Sequence, residues 1–244
     1  MADLPFETLI KGKCKSSADR WYPVPIQTYA NAFKLSGAYE DTVALRKNLA
    51  YSMQYLEYLE KQIAELELSS VIYVMVVKTY VITAMSILEG IFTNIIKARG
   101  WWKTSQLESL GTTQANETKF DGQKFVVKTE LLRKVDPYPM QMNLEELIVI
   151  LQRHHDALNV DHLVYPALKR LKELRNRIHL QKTDGTTDHD YNAFDYTVKK
   201  EMGCILLQIL SSEMVTHYSH VFRFLEVNKD NEEAQNPDDE STEL

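Results

Sequence analysis

The sequence predicts an all-α protein, a helical bundle with an inserted loop or small hairpin. Three observations lead there. Apolar residues recur at steps of three and four over long stretches on both sides of residues 100–142. Helix start and stop residues stand where those stretches begin and end. With 244 residues, 44% of them hydrophobic, the chain is long enough for one sizeable core.

Residues 1–40 read as an N-terminal arm punctuated by Pro5, Pro23, Pro25 and Gly37. Lys11, Lys13 and Lys15 near Trp21 and Tyr22 suit either a nucleic-acid contact or an arm laying its aromatics on a helical body. Leu45, Leu49, Met53, Leu56, Leu59, Ile63 and Leu66 then mark an amphipathic helix over 42–67. Ser69 or Ser70 can cap the next helix, 70–99, which is apolar around most of its circumference and is stopped by Gly100. Lys78 and the threonines and serines after it interrupt that run, so no stretch is expected to span a bilayer.

Residues 100–142 carry no sustained helical period. FDGQKF at 120–125 places an Asp-Gly turn between two short strand candidates, a small hairpin. Asn143 with Glu146 has the spacing of a capping box for a helix over 143–157, and Asn159 with Val160 breaks the chain before a helix over 161–181. The loop KTDGTTDHD, ending in Asp190 as a cap, leads to a last helix over 191–224, in which Cys204 reads as a small core residue. The helical domain therefore covers 41–225 and includes the 100–142 insertion.

Lys and Arg number 28 against 34 Asp and Glu, a net charge of −6. Eight acidic residues against Lys229 alone fall between Glu226 and Leu244, so residues 1–225 carry +1. Residues 226–244 read as an acidic flexible tail. The body is close to neutral, which permits an RNA substrate and argues against a large basic surface. Two cysteines, Cys14 and Cys204, supply neither a disulfide framework nor a four-cysteine zinc site, and a reduced, cytoplasmic protein is expected.

The chemistry-bearing segment is YPALKRLKELRNRIHLQK, residues 165–182. On a helical wheel Arg175 falls about 20° from Val164, inside the apolar arc of Ala167, Leu168, Leu171, Leu174 and Ile178, with His179 at about 60°, just past its edge. An arginine does not enter a dry core without a partner, and a pair one turn apart can reach one cleft. Arginine can hold the non-bridging oxygens of a phosphate while histidine exchanges a proton near neutral pH, the pair of tasks that attack by an RNA 2′-hydroxyl requires. Asn176 can orient the phosphate or fix the helix end. The bland reading has Arg175 and His179 bridge only to a neighbouring carboxylate such as Glu89.

LRNRIH at 174–179, after several amphipathic helices, resembles the Arg-Asn to His signature of HEPN proteins, and SILEGIFTNII at 86–96 is similar to the early central helix of many bacterial members. The resemblance implies a bundle that dimerises with its two signature helices near each other. It further implies a metal-independent endoribonuclease without cofactor, of the kind found in toxin–antitoxin, phage-defence or RNA-processing systems, where an antitoxin or defence-system partner is expected. Carried over by position, Arg175 and His179 are the catalytic pair, Asn176 the polar residue after the arginine, and Glu89 an acidic companion. Only three residues separate Arg175 from His179, where the signature usually has four to six. A noncatalytic nucleotide-binding or protein-interaction member therefore stays in play.

Two other clusters are weaker. His154, His155, Asp156 and His162 have metal-ligating side chains, yet adjacent helical residues point about 100° apart and give no three-ligand face, so no metal is expected there. His217 and His220 share a face without a third ligand.

Overall fold

The computed structural model describes residue 16 and residues 20–35, 41–115, 117–178 and 189–226. The acidic tail, the N-terminal lysines and the segment 179–188 lie outside the described residues.

The two long helices form as their apolar spacing predicts: α2 is Thr42–Glu65 and α3 is Ser70–Ala98. Ser69 takes the extended N-cap conformation, though its side chain makes no capping bond. At the other end Gly100 adopts φ +70°, and the N–H groups of Gly100 and Trp101 return to the carbonyls of Lys97 and Ile96. That pairing ends the helix with the left-handed residue glycine provides without steric cost. By length and composition α3 is apolar enough to cross a membrane, against the expectation from Lys78; half of its most apolar window is buried in the fold. α3 runs through the centre, touching α2, α4 (Leu144–Arg153), α5 (Val164–Arg175) and α7 (Tyr196–Leu210). Val77, Val81, Met85, Leu88 and Phe92 fill the space between them.

α4 begins with the capping box read from the sequence: Asn143 Oδ1 accepts from the Glu146 N–H at 3.0 Å and Glu146 Oε2 from the Asn143 N–H at 3.0 Å. Asn159 breaks the chain at φ +49°. The last helix is shorter than expected. A five-residue helix, α6 (His189–Ala193), precedes α7, and Asp195 rather than Asp190 caps α7, accepting from the Val198 N–H at 2.8 Å. α7 stops at Leu210 because Ser212 and Thr216 turn their hydroxyls onto the carbonyls of Leu158 and Leu210. Cys204 faces outward and is exposed, a correction to its expected place in the core.

The N-terminal region is more than an arm. Residues Ile26–Ala32 form α1, with Tyr29 and Phe33 buried beside Phe222. Lys34 N–H and His217 N–H clip this segment to the chain after α7, at 2.8 and 2.7 Å. Trp21 stays with the body, 6.4 Å from the Tyr58 ring and under Lys61.

The all-α expectation is overturned by residues 104–139. β1 (Thr104–Gln114) and β4 (Lys128–Pro139) pair antiparallel into a long ribbon, and β2 (Thr118–Phe120) with β3 (Gln123–Phe125) closes its tip. The fold is thus mixed, 60% helical and 16% strand among the described residues. The expected Asp-Gly turn is there, with Asp121 at φ +50° and Gly122 at +73°, both positive as a two-residue hairpin turn demands. Nearly every ribbon side chain is exposed, so neither face had to be apolar and no alternation marks the strands. At its root Trp102 donates to the Met140 carbonyl at 2.9 Å and Lys103 reaches Glu146 at 2.5 Å.

Candidate functional site

α5 positions the candidate arginine. Val164, Tyr165, Leu168 and Leu171 are buried, and the Tyr165 hydroxyl donates to the Leu151 carbonyl at 3.1 Å, which fixes the helix against α4. Arg175 occupies the last α-helical position, where its Nη2 donates to Glu89 Oε2 of α3 at 2.9 Å. The sequence thus named both members of a pair 86 residues apart. Their side chains are 32% and 33% exposed, so the pair sits at the rim of the core rather than inside it. A guanidinium so placed keeps part of its hydration, and an ion pair of this kind contributes at most about 1 kcal/mol.

Beyond Arg175 the α-helix gives way to a 3-10 turn over Asn176–Ile178. Three residues per turn instead of 3.6 swing successive side chains by about 120° instead of 100° over that turn. Asn176 is half-buried, and its backbone N–H donates to the carbonyls of Leu174 and Lys172, as the backbone of any residue at a helix end can. His179, the candidate proton-transfer residue, lies outside the described residues.

Sequence reasoning missed the charges next to the pair. Lys172, one turn before Arg175, reaches Glu145 at 3.0 Å and Glu173 at 2.5 Å. The Glu173 hydrogen bond holds its ammonium above the usual lysine range, with Glu145 adding to the effect and partial burial opposing it. Glu146, the next residue, is held below the usual carboxylate range by Lys103 first and by the Asn143 N–H second. A row of ion pairs therefore runs from the end of α5 to the root of the ribbon. The i, i+3 spacing of Lys172 and Arg175 was a signal for it.

The histidine-rich segment is arranged differently. His154 stacks on Trp101 with ring centroids 4.0 Å apart, while His155 lies 3.1 Å from Asp156 and its ring 4.6 Å from that of His162. Among the described residues no three His, Cys, Asp or Glu side chains come together to hold a metal ion. Tyr218 stands between His217 and His220, its ring 6.0 and 6.1 Å from theirs. A second polar cluster is internal: Lys199 of α7 reaches Glu60 of α2 at 2.6 Å and lies over the ring of the buried Tyr80.

Neither a known family nor a curated protein nor a solved structure matches the chain.

Proposed function

We propose that the bundle end carrying Arg175 cleaves RNA without a metal ion or cofactor, as a HEPN-like endoribonuclease. The observation that supports this reading most is the rim position of Arg175: its guanidinium is held by Glu89 yet a third exposed, within reach of a phosphate arriving from solvent. Arg175 would steady the non-bridging oxygens as the 2′-hydroxyl attacks the adjacent phosphorus, and His179 would take the hydroxyl proton. The P–O5′ bond breaks, and the products are a 2′,3′-cyclic phosphate and a 5′-hydroxyl. Asn176 is the candidate to orient the phosphate, and Glu89 the group that holds the arginine until substrate arrives. In this reading two copies bring their signature helices together in a two-fold dimer.

An RNA cleavage assay in chelator, across single-stranded and structured RNAs, tests it. His179→Ala should slow cleavage by about 10² to 10⁴, and Arg175→Ala should impair binding, turnover or both, with melting profiles unchanged. Equal background cleavage by the unaltered protein and both variants would hand the site to the second reading, a noncatalytic nucleotide-binding or protein-interaction module. What favours that reading is the end of α-helical geometry at Arg175, together with the short spacing to His179.

A further inference from the structure

Among the described residues the ribbon strands pack chiefly on each other rather than on the bundle, and an isolated two-stranded hairpin is only marginally stable in water. Among the described residues β4 pairs with β1 alone, so along Lys128–Lys134, short of Pro137 and Pro139, its outer edge presents a row of open backbone donors and acceptors. The charges along that strand are ordered. Successive side chains of a strand alternate between faces, so Lys128, Glu130, Leu132 and Lys134 share one face of the regular run and read plus, minus, apolar, plus, with Asp136 following beyond the register irregularity. All five are exposed. Arg133, on the opposite face, is already bonded to Glu108 across the ribbon, and at the tip Lys124 holds Glu117 at 3.1 Å. Lys128, Glu130, Lys134 and Asp136 have no ion-pair partner among the described residues.

We infer that the outer edge of β4 pairs antiparallel with the β4 edge of a second copy of this chain, about a two-fold axis through Leu132. Directly opposite residues in such a ladder lie on the same face. Leu132 then meets the partner's Leu132 once, on the axis, and Glu130 meets the partner's Lys134, with Lys128 and the partner's Asp136 at the ends of the ladder. Each charge pair occurs twice by symmetry. The inner pair falls in the regular run Lys128–Lys134, while Asp136 lies in the irregularity between Lys134 and Tyr138.

The register is selected against its neighbours. An axis one residue earlier, at Leu131, sets Lys128 against the partner's Lys134; one residue later, at Arg133, it sets Glu130 against the partner's Asp136. Parallel pairing in register brings every charge beside its like. Five cationic and five acidic side chains over 104–139 leave the ribbon neutral, so a nucleic acid gains little there.

This contact is separate from the helix-to-helix dimer of the nuclease reading. The two ribbon roots would stand roughly 45–50 Å apart along the paired strands, so the inference neither needs nor supplies a composite cleft.

Sedimentation over a wide concentration range tests it with a charge swap. Glu130→Lys and Lys134→Glu should each weaken association about tenfold, because each replaces two attractive cross-strand pairs by two repulsive ones. The double variant Glu130→Lys/Lys134→Glu should recover it. Independently, Leu132→Cys should cross-link to its own copy in oxidised glutathione, mapped by peptide mass, whereas Glu130→Cys, with its two copies about 14 Å apart along the strands, should not. A chain that stays monomeric overturns the proposal. So does association that none of the charge variants changes together with Leu132→Cys failing to cross-link, which is the result a helix-to-helix dimer alone would give.

Discussion

The rim of the bundle and the ribbon handle charge in opposite ways. At the end of α5 the cations and carboxylates close on one another within the chain: Arg175 on Glu89, Lys172 on Glu145, Lys103 on Glu146. Along β4, Lys128, Glu130, Lys134 and Asp136 have no ion-pair partner among the described residues. Where elements pack, a charge near the core must be matched locally, since desolvation is costly. Where an element projects into water no such pressure exists, and a self-complementary order then points outward. The difference teaches that packing settles charge within the bundle, whereas the ribbon leaves a charge order open for the pairing proposed above.

Truncating the core should separate the two regions most widely. Leu88→Ala removes a fully buried side chain of α3 and should cost about 3–5 kcal/mol. That lowers the melting temperature by roughly 2–4 °C per kcal/mol. Leu131→Ala on the exposed ribbon should leave melting within about 0.5 kcal/mol of the unaltered protein in dilute solution. Equal losses would mean that the ribbon belongs to the core.

Alkaline titration sharpens the same contrast. Burial pushes the hydroxyls of Tyr29, Tyr80 and Tyr165 up from their ordinary range, and Tyr73 up to about 12. A raised folded-state value means that the folded protein keeps its proton after the unfolded chain has lost it. The stabilisation is therefore full below about pH 10 and is lost as pH rises toward 12. Denaturant midpoints measured from pH 8 to 12 should fall over that window, and a flat profile would contradict the burial of these rings.

Smaller effects follow at the junction between the regions. Asn143→Ala removes the side chain that caps α4 and should cost about 1 kcal/mol by chemical denaturation. Replacing 104–139 by a short glycine-serine link should move the stability of the bundle by less than about 1 kcal/mol, because among the described residues the ribbon strands pack chiefly on each other. A larger drop would show that the ribbon supports the body that carries it.

The same contrast decides what the sequence let us read. α2 and α4 were legible because each buries one stripe, and burial imposes the period that the sequence displays; α3 was legible as a long apolar run between Ser69 and Gly100. The Glu89–Arg175 pair was legible for a related reason: an arginine inside an apolar arc must find a carboxylate. The tip turn showed in Asp121-Gly122, which has the residue types its backbone needs. The long strands did not show, since TSQLESLGTTQ buries neither face and Gly111 breaks what alternation it has. Nor did the early end of α7, because Ser212 turns away to meet Leu158, a partner 54 residues distant. The switch from α to 3-10 geometry after Arg175 has no glycine or proline to announce it.

The central claim is that Arg175 is a phosphate-handling group held in waiting by Glu89, and not a strut. Fluorescence anisotropy with a 2′-deoxy analogue of a cleaved RNA, which binds without turnover, measures this for the unaltered protein, Glu89→Gln and Arg175→Ala. Freed from its carboxylate, Arg175 should bind the oligonucleotide several-fold more tightly in Glu89→Gln, whereas Arg175→Ala should bind at least about tenfold more weakly, the loss of one charge-assisted contact. Unchanged affinity in both variants, with both melting at lower temperature, would contradict the account and leave the pair a structural tie between α3 and α5.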